Sequence, residues 1–154
     1  REYIERMKKL SPNTERFTDK LPRNFLSIGF IKLILPNSKI IHCCRNPEDN
    51  YLSLYKNHFP SGQIHYCYKY SEIIDYYKLY KELMLFWNNT LPGFVFNLKY
   101  ENLVNNTKEE VKNLLKFCNL DWDDKCLEFY KNKRAIRTAS DTQARKKIYN
   151  SSID

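Results

Sequence analysis

Glycine is scarce in this chain, which has only Gly29, Gly62 and Gly93. They are too far apart to build a glycine-rich phosphate loop or a dinucleotide fingerprint, so both motifs are excluded within these residues. Histidine is as sparse, and His42, His58 and His65 share no metal-ligand spacing. No nucleophile elbow occurs and no paired carboxylates stand out, so hydrolytic triads and two-acid chemistry have no foothold. His42 lies inside an apolar run and is read as a core histidine with both ring nitrogens satisfied. No apolar run is long enough to cross a bilayer. No period of tens of residues repeats.

The five cysteines, Cys43, Cys44, Cys67, Cys118 and Cys126, are odd in number and form no Cys-x-x-Cys pair. They are expected to be reduced, mostly buried thiols, which places the protein in the cytoplasm. Three formal glycosylation triplets begin at Asn88, Asn105 and Asn150, but without a secretory segment they carry little weight.

What is present suits one core: 154 residues, 42% of them apolar and 29% charged. The formal charge of +8 asks for an anionic partner, either nucleic acid or a phosphorylated small molecule. Twelve tyrosines and nine phenylalanines could stack on bases, yet Tyr76, Tyr77, Tyr80 and Trp87 recur at helical spacing, which assigns them to the core or its edge.

The stretch that organises the rest is 39–59. Lys39 to Cys44 reads as a strand covered on both faces, ending at Arg45. Asn46 can cap a following helix, Pro47 fits its first turn, and Glu48 and Asp49 suit its positive end. In an open α/β sheet ligands gather beyond the carboxyl ends of the strands, so Arg45 is placed to meet an anion. Two acids in the first helical turn repel a phosphate from that terminus, so it must be held by side chains. Arg45 would give the charge, and the Ser53 hydroxyl, about two turns on, a neutral donor. The competing reading is an arginine paired with a nearby carboxylate and a serine that merely faces a loop.

Before this stretch, residues 1–10 have a helical rhythm that Ser11-Pro12-Asn13 ends, as the tail of a helix that begins earlier. Residues 15–19 are expected to form a short strand delivering Lys20 to the same sheet edge, and a helix from Leu21-Pro22 runs to about Leu35. Lys20 is then either a solvated lysine or a cation at the ligand edge. After it come a loop over 59–63, a helix from about Tyr66 to Asn88, a turn at Leu91-Pro92-Gly93 and a strand over 94–98. Tyr100 follows, either packed at the strand end or set against a planar ligand. Asn106 or Thr107 caps the next helix, with Val111, Leu114, Leu115 and Cys118 on one face, and a last helix spans 124–130. The tail from Arg134 is rich in cations and hydroxyls, and is either disordered or ordered by a ligand. Strands alternating with helices give the fold class: α/β, with a parallel sheet.

A series of landmarks then stands in order: Asp19-Lys20-Leu21-Pro22-Arg23-Asn24-Phe25, Leu35-Pro36-Asn37-Ser38, Arg45-Asn46-Pro47 with Ser53, Leu98-Lys99-Tyr100-Glu101-Asn102-Leu103, and Thr138-Ala139-Ser140 with Gln143 and Ile148-Tyr149. Together they resemble the sulfotransferase family, in particular bacterial members, often with tetratricopeptide repeats upstream, and the tyrosylprotein sulfotransferases. The resemblance implies a P-loop-type parallel sheet flanked by helices. It also implies metal-free transfer of a sulfuryl group from 3′-phosphoadenosine 5′-phosphosulfate to a hydroxyl or amine of a small-molecule or peptide acceptor, with neither nucleic acid nor membrane as partner.

By position, Arg45 and Ser53 resemble the pair that grips the 3′-phosphate, and Tyr100 the residue beside the adenine. Lys20 resembles the lysine that stabilises charge on the sulfuryl and bridging oxygen, with Ser140 assisting, and Arg145 and Lys146 resemble cofactor contacts in the tail. The resemblance divides the chain into a sheet and 3′-phosphate part over 15–105, a helical part over 106–133 and a cofactor-covering tail over 134–154. His65, Tyr66 and Tyr68 are candidates to line the acceptor pocket. The family's first strand, 5′-phosphosulfate loop and general base have no counterpart here, so the chain is expected to hold half a cofactor site and to be inactive alone. The tail departs too, with Gln143-Ala144-Arg145-Lys146-Lys147 where a valine and a proline are usual. Two other classes compete on composition: a basic nucleic-acid-binding module and a P-loop phosphotransferase relative.

Overall fold

The computed structural model describes residues 2–10, 12–56, 64–132 and 145–148. In chain order it contains α1 (Glu2–Leu10), a 3₁₀ turn (Pro22–Ser27), α2 (Ile28–Ile34), β1 (Ile40–Cys44), α3 (Pro47–Lys56) and a second 3₁₀ turn (His65–Tyr68). Then follow α4 (Tyr70–Thr90), β2 (Val95–Lys99), α5 (Tyr100–Asn105), α6 (Thr107–Phe117) and a third 3₁₀ segment (Asp124–Lys131). The architecture is mixed α/β: β1 and β2 pair in parallel, in a register that sets Ile40 against Val95 and Cys44 against Lys99, with helices around them. A parallel pair needs a long crossover, and α3 and α4 supply it.

The core forms where the starts of the strands meet α2 and α4. Ile28, Met84, Phe94 and Val95 are buried there, and Phe25, Ile40, Tyr80, Trp87 and Leu91 pack against them. The Trp87 indole N–H donates to the Phe25 carbonyl at 2.9 Å, fixing α4 to the 3₁₀ turn. Its ring lies over Gly29, where an added Cβ would fall 2.7 Å from a ring carbon, so only glycine permits this approach. Tyr80 and Trp87 of α4 thus pack against the core, with Tyr76 and Tyr77 half-buried on the same helix. Gly93, at φ 74°, occupies the left-handed position of the turn into β2.

Several expectations give way. Residues 15–19 form no strand: the segment is exposed and is held by side chains instead of ladder bonds. Arg16 donates to the carbonyls of Cys118 (2.6 Å) and Asn119 (3.1 Å), and Asp19 accepts from Tyr3 Oη at 2.8 Å. The helix expected from Leu21 to Leu35 divides at Ser27, whose φ and ψ of −116° and 14° are not helical. The long helix begins at Tyr70, because extended Lys69 separates it from the 3₁₀ turn before it. The last helix is 3₁₀ and kinked at Glu128.

Strand β1 is not covered on both faces either. Its burial alternates, with Ile41 41% exposed and Cys43 exposed, the pattern of a one-sided strand. Only Cys67 of the five thiols is buried, since the others lie at element ends or on open faces. Neither Asn106 nor Thr107 caps α6 with its side chain: the Thr107 hydroxyl turns back to donate to Leu103 O at 2.8 Å. At the other end α6 closes in a Schellman motif, with Leu120 N on Leu115 O (2.9 Å), Asn119 N on Lys116 O (3.1 Å) and Asn119 at φ 53°. Among the described residues no helix is long and apolar enough to cross a membrane.

Candidate functional site

The strand register builds the site. Partners on β1 and β2 differ by 55 in sequence, as His42 and Asn97 do, and the offset continues beyond the ladder. Arg45 therefore faces Tyr100, and Asn46 faces Glu101. The Arg45 guanidinium carbon lies 5.3 Å from the Tyr100 ring centroid, within cation–π range. Asn46 donates its backbone N–H to Glu101 Oε1 at 2.7 Å, also across 55 residues, and its own Oδ1 caps α3 by accepting from Glu48 N at 2.9 Å. The strand-to-helix turn is thus clamped from both sides, so Arg45 leaves β1 in a fixed direction.

Asp49, one helical turn on, pairs with Arg45 at 3.4 Å. The acid read from the sequence as a favourable charge at the helix start is also the carboxylate partner of the arginine. Ser53 follows Asp49 by a further turn on the same helix face and is exposed. Arg45, Asp49 and Ser53 form one stripe, and Tyr100 closes it at its upper end.

Beneath Arg45 lies a cavity of about 450 Å³ between the open side of β1, the first 3₁₀ turn, α3 and α4. Lys20 also lines it, so residues 25 apart in sequence reach one space. Tyr51, Tyr66, Tyr76, Tyr77 and Tyr80 line it together with aliphatic side chains such as Ile28, Leu54 and Ile73, and Asn24 and Asn50 add amides. The tyrosines brace one another: Tyr66 stacks on Tyr76 with centroids 4.0 Å apart, and Tyr51 meets Tyr77 edge-on at 5.3 Å. Burial, with Tyr76 close by, pushes the Tyr66 phenol up to about 12. Ser53, Tyr100, Arg145 and Lys146 do not line this cavity.

A chain of hydrogen bonds leads away from the cavity-lining His42 and Tyr80. His42 Nδ1 bonds Asn97 Oδ1 at 2.7 Å, its Nε2 meets the Tyr80 hydroxyl, and Asn97 Nδ2 donates to Asn88 Oδ1 at 3.1 Å. Because Asn97 Oδ1 accepts, His42 carries its proton on Nδ1 and takes the Tyr80 O–H on Nε2. His42 is the satisfied histidine expected from its apolar setting. Burial is the main cause that raises the Tyr80 phenol, and also the Cys44 thiol, whose sulfur lies 3.3 Å from His42 Nδ1. In both cases burial favours the neutral, protonated form.

The remaining expected residues are less gathered. Ser140 lies outside the described residues, as do Gln143 and His58. Arg145 donates to the Asn132 carbonyl at 3.2 Å beside the third 3₁₀ segment, and Lys146 is exposed next to it. Of the loop candidates, Tyr66 lines the cavity and His65 and Tyr68 do not. Glu101 and Asp49 are the site residues that motif reading missed. Once β1 and β2 are paired, counting the same offset from Asn46 finds Glu101, and the i,i+4 spacing from Arg45 finds Asp49.

The fold is a mixed α/β one, with Arg45 and Tyr100 directly beyond the carboxyl ends of its two parallel strands. The family model described as "Sulfotransferase family" matches residues 1–124, and the chain belongs to that family. The match ends before the tail that holds Ser140, Arg145 and Lys146. A similar protein is an uncharacterized protein of Aquifex aeolicus (strain VF5), 38% identical over 154 residues, which cover 99% of this chain and 20% of that protein. The chain thus spans about a fifth of the length of this relative.

Proposed function

We propose that this chain carries the 3′-phosphate side of a P-loop-type sulfotransferase site, whose parent enzyme moves a sulfuryl group from 3′-phosphoadenosine 5′-phosphosulfate to a hydroxyl or amine. The observation that supports it best is the convergence of Lys20 and Arg45 on one cavity in a chain of this family. The donor set suits an anionic nucleotide: two cations and the Asn24 and Asn50 amides in a wall of aromatic and aliphatic side chains.

In this reading the donor supplies the sulfuryl group and the chain supplies position and charge. Arg45, oriented by Asp49 and by the Tyr100 ring, holds the 3′-phosphate, and Ser53 adds a neutral donor from the same helix stripe. Tyr100 offers its ring beside the base. Lys20 places an ammonium where negative charge grows on the bridging oxygen, which is where a preorganised cation has most effect. Ser140, Arg145 and Lys146 are assigned to the covering tail. The acceptor enters along the tyrosine wall, and the chain by itself binds nucleotide without turnover.

Calorimetric titration with adenosine 3′,5′-bisphosphate tests the assignment. Arg45→Ala is expected to weaken binding about 10- to 100-fold, the loss of a charge-assisted pair of hydrogen bonds. Arg45→Lys restores only part of it, because a point charge cannot reproduce the fork. Equal affinity of Arg45→Ala and the unaltered chain would overturn the reading. So would a loss shared evenly among many lysine substitutions, the behaviour of a general polyanion binder.

A further inference from the structure

Asn46, the residue after Arg45, has three of its polar groups committed. Its carbonyl accepts from Asn50 N at 3.1 Å and its Oδ1 from Glu48 N at 2.9 Å, both at the start of α3, while its backbone N–H donates to Glu101 Oε1 at 2.7 Å. The first two bonds, like the Arg45–Asp49 pair, lie within the turn and helix that carry Arg45 and would move with it. The third crosses to the end of the other strand. In a parallel ladder a β1 N–H finds a β2 carbonyl, but β2 ends at Lys99 and the chain turns into α5, so the Glu101 carboxylate supplies the acceptor instead.

The second observation is the kind of residue that makes this bond. Glu101 stands in the first turn of α5, where an acid is favourable in its own right. Beside a phosphate, however, a carboxylate opposes the ligand, and Glu101 is half-buried and follows directly on Tyr100, whose ring centroid is 5.3 Å from the Arg45 guanidinium carbon. Its Oε1 is turned onto the backbone from which Arg45 departs. One bond therefore ties the peptide after Arg45 to the residue after Tyr100, and sets the two side chains relative to each other. A guanidinium fork that grips an oxyanion through two parallel bonds depends on its direction, and a displacement of about 1 Å is enough to spoil it.

We infer that Glu101 is a positioning residue of the nucleotide site: by holding the Asn46 N–H it fixes the direction of Arg45 against Tyr100, and with it the affinity for the 3′-phosphate. This rests on the assignment of Arg45 to that phosphate. Glu101 acts as a hydrogen-bond acceptor and not through its charge, which by itself works against the anion.

Calorimetric titration of the 154-residue chain with adenosine 3′,5′-bisphosphate tests this in four variants: Glu101→Ala, Glu101→Gln, Arg45→Ala and the Arg45→Ala/Glu101→Ala double variant. Glu101→Ala is expected to weaken binding about five- to tenfold, and Glu101→Gln, which keeps an acceptor and drops the charge, to bind at least as tightly as the unaltered chain. In the Arg45→Ala background Glu101→Ala should cost nothing more, because its effect passes through the arginine; a general loosening of the fold would cost the same in both backgrounds. If Glu101→Ala does not fold, Glu101→Asp, which keeps the charge but is one methylene too short to reach the N–H, must weaken binding where Glu101→Gln does not. Unchanged affinity in Glu101→Ala, an equal loss in Glu101→Gln, or additive losses in the double variant would overturn the inference while leaving Arg45 on the phosphate. Unchanged affinity in Arg45→Ala would instead overturn the assignment beneath it.

Discussion

Arg45 and Tyr100 meet because two strands far apart in sequence end at the same height: the guanidinium carbon stands 5.3 Å from the ring centroid, one step past the last paired residues, Cys44 and Lys99. Neither side chain would be so placed without the parallel register. The site is therefore a property of the sheet first and of its side chains second.

The clamp on that junction can be tested at Glu101. Glu101→Ala removes the acceptor of the Asn46 N–H, a bond of 2.7 Å, and is expected to cost about 1 kcal/mol, or a melting temperature lower by about 2–4 °C. Glu101→Gln keeps an acceptor and should recover most of this. Thermal melts followed by circular dichroism would read the difference, and equal melts for both variants would show that the clamp is idle.

Gly29→Ala puts a methyl 2.7 Å from a Trp87 ring carbon, so the ring must move and its 2.9 Å bond to the Phe25 carbonyl breaks. The expected loss is about 1–3 kcal/mol, as for other overpacked cores. Tryptophan emission, measured in a Trp122→Phe background so that Trp87 alone reports, should shift to the red.

Alkaline pH probes the tyrosine wall. The Tyr66 phenol lies at about 12 when folded, against 10.0 for an ordinary tyrosine, with burial as the main cause. The folded state keeps a proton that the unfolded state loses. This contribution to stability is thus complete below pH 10.0 and disappears as pH rises towards 12. Denaturant midpoints should fall across that window, and Tyr66→Phe should flatten the fall. A slope unchanged by the substitution would assign the loss to other groups.

Thiol labelling should follow exposure. Cys43 is exposed and Cys67 is buried, with burial raising the Cys67 thiol further. An aromatic disulfide reagent at mildly alkaline pH should modify Cys43 first and Cys67 last, and Cys43→Ser should remove the fast phase.

The residues that follow local rules were legible in the sequence. The Asn46 cap, Pro47 in the first turn and both strands to within a residue depend on neighbours or on plain burial. What failed depended on distant partners. Residues 15–19 have the composition of a strand, yet Arg16 is drawn to the end of α6, a contact across 102 residues that no window detects. The helix expected to run unbroken to Leu35 divides at Ser27, two residues before the Gly29 over which the Trp87 ring packs. The sequence showed an arginine with acids nearby. That Asp49 takes the pairing, and that Glu101 secures the turn, became readable only with helix phase and strand register in hand.

The same offset has a kinetic consequence. Helices α3 and α4 can form from local contacts, but β1 and β2 can meet only after the segment between them has closed, and closure entropy must be met before the ladder repays it. Arg45 and Tyr100 are thus strangers in the collapsing chain, and their meeting marks a late event. Substitutions that weaken the β1–β2 pairing should slow the meeting of Arg45 and Tyr100 more than they slow the appearance of helix.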